Sequence, residues 1–185
     1  MASHRQHQRR VRRIRSAVGI SIALAVGPLA VLSFTESGLQ FFEVPSPSMS
    51  PTLRVGDRIL ARKAGLDRQH MHIGDIVVFK RPATDRVDTN IADVVKRIVA
   101  LPGQRVSSSG GVLLVNGTAV VQTYLPKGTA TTNVTPEVIP KGDYFVMGDN
   151  RPDSYDSRYF GPIEATSIVG KVVAQVWPPG AFHIF

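Results

Sequence analysis

The chain has no cysteine in its 185 residues, which excludes disulfides and thiolate metal sites and leaves the compartment open. Its first sixteen residues hold no acid, and residues 17 to 34 hold no charge of either sign. There is no internal repeat and no low-complexity tract. Long soluble helices are disfavoured by the 13 prolines, several in Pro45-Ser46-Pro47 and Pro178-Pro179, since proline lacks the helical donor.

What fills the N-terminus is informative. Arg5, Arg9, Arg10, Arg12, Arg13 and Arg15 precede an 18-residue run, 17 to 34, made mostly of Ala, Val, Ile and Leu. As a helix that run would be about 27 Å long, near the ~30 Å of a hydrocarbon core. Gly27 and Pro28 are tolerated in membrane helices. The arginines predict a cytoplasmic tail (1–16), a transmembrane signal-anchor (17–34) and an extracytoplasmic domain (35–185) in the cell membrane. A cleavable signal peptide is the competing reading, but the run exceeds that class and no small-x-small site closes it before Glu36. A buried core helix fits neither the flanking arginines nor the polar Thr35-Glu36-Ser37. Taking the six arginines from the formal charge of +8 leaves +2, so the basic balance reports topology and argues against a nucleic-acid partner.

The remaining 150 or so residues suffice for one domain with its own core, and they read as β. Short β-branched runs at Gly56–Ala61, Asp75–Lys80, Ile91–Ala100, Val112–Val115 with Thr118–Thr123, Tyr144–Met147 and Ile168–Val176 are punctuated by Gly or Pro. Asn116-Gly117 between two such runs predicts a tight hairpin. Pro82–Thr89 and Lys127–Pro140 read as surface loops.

Strand alternation singles out Lys96, which shares a face with Val94, Ile98 and Ala100 while Asp93 and Arg97 point the other way. An amine on an apolar face is desolvated, which favours its neutral form. Lys171, between Val169 and Val173, has a similar pattern, and either lysine could instead extend to water from a strand edge. A serine, Ser48, stands in Ser46-Pro47-Ser48-Met49-Ser50-Pro51-Thr52-Leu53, with 13 residues between it and Phe34, the end of the apolar run. A serine hydroxyl needs a base to become a nucleophile, and a neutral lysine amine can be that base. Pro47 has no amide hydrogen, so the Ser46 hydroxyl is the nearest candidate to join the Ser48 amide in stabilising an oxyanion. The loop Gly148 to Arg158 collects Asp149, Arg151, Asp153, Ser154, Asp156, Ser157 and Arg158. Asx and Ser side chains build turns, and carboxylate–arginine pairs could also brace a site. Its spacing fits no EF-hand.

In this order, the basic start, the apolar run, the serine box, Gly74-Asp75-Ile76-Val77-Val78-Phe79, the lysine box Lys96 to Gly103 and the Gly148 loop resemble the bacterial type I signal peptidases. These are membrane-anchored Ser/Lys endopeptidases that remove signal peptides from exported preproteins, and the likeness spans most of the chain. The resemblance implies a mostly β, antiparallel catalytic domain after one transmembrane helix, with a small insert near 104–142. It implies Ser48 as nucleophile and Lys96 as general base. Ser46 and the Ser48 amide would form the oxyanion hole, and Ser154 would orient the lysine. Asp149, Arg151, Asp156 and Arg158 would support the site, and Met49 would contact substrate. No cofactor or metal is implied; the partners would be preproteins and membrane lipid. The short stretch between the last two boxes looks like the compact Gram-positive-type enzymes, and lysine at the base position separates the chain from endoplasmic-reticulum relatives with histidine. His70, His72 and His183 then have no catalytic part. Pro47 stands where the family more often has a small or polar residue, and Gln104 where an acid is common.

Two other classes compete. A self-cleaving repressor-type regulator shares the dyad but would carry a DNA-binding domain where this chain has its apolar run. A non-enzymatic membrane protein with arginines on anionic lipid would leave the Ser48–Lys96 pairing a coincidence.

Overall fold

The computed structural model describes residues 38–63, 65–84 and 92–185. The expected tail and signal-anchor lie outside the described residues, among which no helix is long and apolar enough to cross a membrane. Most of the chain, Gln40–Phe185, forms one compact unit.

That unit is mostly antiparallel β. Its strands are β1 (Leu39–Glu43), β2 (Arg58–Arg62), β3 (Ile76–Lys80), β4 (Asp93–Ala100), β5 (Arg105–Ser109), β6 (Val112–Val115), β7 (Thr118–Ala119), β8 (Glu137–Val138), β9 (Asp143–Met147), β10 (Ile163–Glu164), β11 (Ile168–Trp177) and β12 (His183–Ile184). The larger sheet runs β1-β2-β11-β3-β4-β9-β10, with β12 on β11; the smaller runs β7-β6-β5-β8. The run of valine and isoleucine in β3 and β4 suits central strands buried on both faces, and seven of the eight β4 residues are buried.

One face of the larger sheet carries Val77, Phe79, Val94, Ile98, Tyr144, Val146 and Phe160. The other carries Val44, Met49, Leu53, Ile76, Val78 and Val95. A third cluster joins Val99, Ala100, Phe145 and Met147 to Val106, Leu113 and Ile139 of the smaller sheet region. Burying such side chains contributes about 1.5–3 kcal/mol each.

Several expectations change on contact with the structure, and the run Thr118–Thr123 is a strand only over Thr118–Ala119. Alternation put Ala100 on the face of Lys96, but a bulge in β4 sets Ile98 opposite Val146 and Ala100 opposite Phe145, so Val99 is the extra residue and Ala100 joins the third cluster. Lys127–Pro140 is not all surface, because Thr131, Val134 and Ile139 are buried and β8 forms within it. The Arg105–Ser109 strand went unread because its serine-rich sequence lacks β-branched residues beyond Val106. The hairpin expectation holds: Val115 pairs with Thr118 across Asn116 and Gly117, whose φ values of 52° and 78° are those of a type I′ turn.

Candidate active site

The site forms where the larger sheet opens. β9 ends at Met147, opposite Arg97, so it gives β4 no partner over Asp93–Lys96. A cleft of about 250 Å³ lies there, lined by residues 44–49 and 93–96 with Arg81, Asp153 and Tyr155. Its serine side is one 3₁₀ turn, Pro47–Met49, entered with Pro47 at the first position, where its missing N–H costs nothing.

Across that cleft Lys96 Nζ donates to Ser48 Oγ at 2.6 Å, and both residues are buried. The Ser46 hydroxyl stands 3.1 Å from Ser48 Oγ. Met49 is fully buried in the core and forms part of the cleft wall. The serine turn is tied to the Gly148 loop at two points: the Asn150 amide donates to the Ser48 carbonyl at 3.0 Å, and Asn150 Nδ2 to the Pro47 carbonyl at 3.2 Å. Gly148 can only be glycine here, because a Cβ would overlap both the Ser48 carbonyl oxygen and Ser154 Oγ.

Two buried ion pairs hold that loop. Arg97 donates from Nε and Nη2 to the two Asp149 oxygens at 2.9 and 2.7 Å, and from Nη1 to the Gly74 carbonyl at 2.8 Å. Arg158 donates from Nε and Nη2 to Asp156 at 2.8 and 2.9 Å, and from Nη2 to the Arg151 carbonyl at 2.8 Å. Such fork-to-fork pairs fix geometry as well as charge. Asp156 also accepts from the Gly148 amide at 3.1 Å and from Ser154 Oγ at 2.8 Å, so the serine beside the cleft is held by a fully buried carboxylate.

Arg151 is buried and donates from Nε to the Gly148 carbonyl at 3.0 Å. Its Nη1 donates to Gln122 Oε1 at 3.0 Å and to the Thr131 hydroxyl, and its Nη2 reaches the Tyr124 hydroxyl at 3.4 Å. Burial works against the Arg151 charge, opposed by Tyr124, Asp149 and Asp156; burial also pushes the Tyr124 phenol up.

The residues singled out in sequence therefore converge. Ser46, Ser48, Met49 and Lys96 line the cleft, while Asp149, Arg151, Ser154, Asp156 and Arg158 form one hydrogen-bonded loop behind it. Lys171 does not join them, pairing with Asp75 at 2.7 Å. His70, His72 and His183 are exposed. Gln104 accepts from the Leu101 amide at 2.7 Å and shapes the turn after β4. Sequence reasoning missed Arg97, Gln122, Tyr124 and Thr131. Arg97 was placed correctly on the face away from Lys96, but nothing local announces a carboxylate 52 residues away.

Comparison with known proteins decides the family. Residues 13–177 match the family described as signal peptidase, peptidase S26. The chain belongs to that family. Signal peptidase IB of Staphylococcus aureus is 34% identical over 191 aligned positions, covering 91% of this chain and 90% of that protein. Signal peptidase I of Leptolyngbya laminosa is 32% identical, covering 87% and 77%. A solved signal peptidase I from Enterococcus faecalis is 30% identical with a TM-score of 0.44, covering 55% of this chain and 96% of that one. The resemblance to type I signal peptidases of the Gram-positive kind stands, and the protein is a serine peptidase by membership.

Proposed function

We propose that this peptidase is anchored in the cell membrane by residues 17–34 and cleaves N-terminal signal peptides from preproteins on the extracytoplasmic side. The observation that carries the reading is the 2.6 Å contact between Lys96 Nζ and Ser48 Oγ inside a cleft beside an open strand edge. Lys96 is 3% exposed, and desolvation favours the neutral amine that can act as base.

Neutral Lys96 takes the Ser48 proton as the hydroxyl attacks the scissile carbonyl. The Ser48 amide and the Ser46 hydroxyl receive the charge that develops on the carbonyl oxygen; one such donor lowers the barrier by about 3 kcal/mol in other proteases. Protonated Lys96 then gives its proton to the leaving amine; Lys96 next deprotonates a water that attacks the acyl-serine, and returns that proton to Ser48 Oγ as the acid is released. Ser154, itself held by Asp156, orients the lysine, and Met49 shapes the cleft wall against the substrate. Asp149, Arg151, Asp156 and Arg158 hold the Gly148 loop against the serine turn, which keeps the two reacting atoms within the narrow range that proximity demands. Preproteins and membrane lipid are the partners, and no metal or cofactor enters a step.

The test is to incubate detergent-solubilised protein with an exported preprotein and sequence the new N-terminus. Cleavage at one site after the signal peptide, lost in Ser48→Ala while the variant keeps its fold, is the expected result. Equal cleavage by Ser48→Ala would move the nucleophile elsewhere.

A further inference from the structure

The connection from β7 to β8, residues 120–136, is long for a link between two short strands of one small sheet, and unstructured links of that length are usually functional. Three of its side chains reach the machinery behind the cleft. The Tyr124 ring lies under the Arg97 guanidinium, 4.0 Å from its carbon to the ring centroid. Gln122 Nε2 donates to the Tyr124 hydroxyl at 2.7 Å, which fixes the ring in that place. Gln122 and the buried Thr131 both accept from Arg151 Nη1.

We propose that Tyr124 is a positioning residue for the Ser48–Lys96 pair, acting through the contact of its ring with Arg97, and that the 120–136 connection clamps the catalytic loop, with Gln122 and Thr131 holding Arg151. The proposal rests on the reading of Ser48 and Lys96 given above. Arg97 follows Lys96 on β4 and points to the opposite face, so its guanidinium anchors the strand from behind. It is held from three directions: the Asp149 carboxylate, the Gly74 carbonyl and the Tyr124 face. A guanidinium over an aromatic face is attracted by the ring quadrupole, more strongly when both are desolvated. Asp149 is the neighbour of Gly148, whose Cα packs against the Ser48 carbonyl. A shift of Arg97 therefore reaches the serine in three contacts. The second path is shorter: Arg151 holds the Gly148 carbonyl from one end of its guanidinium and the connection from the other. Tyr124 touches both arginines and stands outside the residues lining the cleft, so its effect falls on turnover and not on substrate affinity.

The experiment measures kcat and KM on a signal-peptide-derived peptide for the wild type, Tyr124→Phe and Tyr124→Leu, with circular dichroism and thermal melting on each. Where Tyr124→Leu does not fold, Tyr124→Gln replaces it. Removing the ring is expected to lower kcat at least tenfold with KM within twofold. Tyr124→Phe keeps the ring under Arg97 and is expected to stay within about threefold of wild type. Wild-type cleavage that depends on Ser48 tests the underlying reading in the same assay, and a wild type that does not cleave overturns both. With an active wild type, a folded ring-less variant with unchanged kcat overturns the positioning role alone. So does a change confined to KM, or a phenylalanine variant as poor as the leucine one.

Discussion

Lys96 and Lys171 lie on strands that flank β3, and both stand in register with the same residue, Val77. Their local sequences are alike, each amine rooted among valines. Their surroundings are opposite. Lys171 is 26% exposed at its side chain and meets the Asp75 carboxylate at 2.7 Å. Lys96 is 3% exposed and meets a serine hydroxyl at 2.6 Å. A carboxylate partner favours an ammonium, whereas burial favours the neutral amine on which the proposed base role of Lys96 rests. The sheet turns one pattern into a partly buried ion pair on one side of β3 and a candidate base on the other, and the difference arises from residues distant in sequence.

The comparison breaks most sharply by truncation. Lys96→Ala is expected to lower kcat/KM on a preprotein by at least a thousandfold, the scale seen when a dyad or triad member is lost. Lys171→Ala is expected to keep activity within about threefold. Peptide cleavage assays on the two folded variants check it, and a Lys96→Ala enzyme within tenfold of wild type would give the base role to another group.

A second substitution sharpens what the cleft offers besides the amine. Ser46→Ala is expected to lower kcat by about a hundredfold with KM nearly unchanged, because its hydroxyl acts on charge present only in the transition state. Ser46→Thr should retain activity. Wild-type kcat in Ser46→Ala would leave that hydroxyl only a turn-forming role.

The smallest effect tests the same charge rule far from the site. Asp143 on β9 stands in register with Glu164 on β10, and its carboxyl is held above the usual range by desolvation and then by that like charge. A carboxyl raised in the folded state costs stability once ionised, so the penalty is absent below the unfolded value and grows as pH rises through the folded one. Asp143→Asn is therefore expected to stabilise the domain by about 0.3 kcal/mol at pH 7 and by nothing near pH 3, with unchanged activity. Thermal melts at the two pH values check it.

The sequence made the strands with β-branched runs legible, together with the Asn116-Gly117 turn and the face of β4 that carries Lys96. The proposed Ser48–Lys96 dyad was legible as two boxes. What it hid has one physical character: each hidden feature depends on a partner far along the chain. The bulge at Val99 sends Ala100 to the third cluster while Val94 and Ile98 serve the first. Arg97 was read as merely opposite to Lys96, because Asp149 and Tyr124 belong to other elements. Thr131 and Ile139 look like loop residues until the smaller sheet closes over them. Local pattern announces periodicity and turns; it does not announce which buried charge finds which.

The pH dependence of kcat/KM on a soluble peptide, measured side by side for the wild type and Lys171→Ala, tests the central claim most directly. Burial of Lys96 beside the Ser48 hydroxyl predicts one limb that rises with pH, lies below the ~10.4 range of a solvated lysine, and is the same in both proteins. A limb at the solvated position, or one that moves when Lys171 is removed, would contradict the assignment of Lys96 as the neutral base.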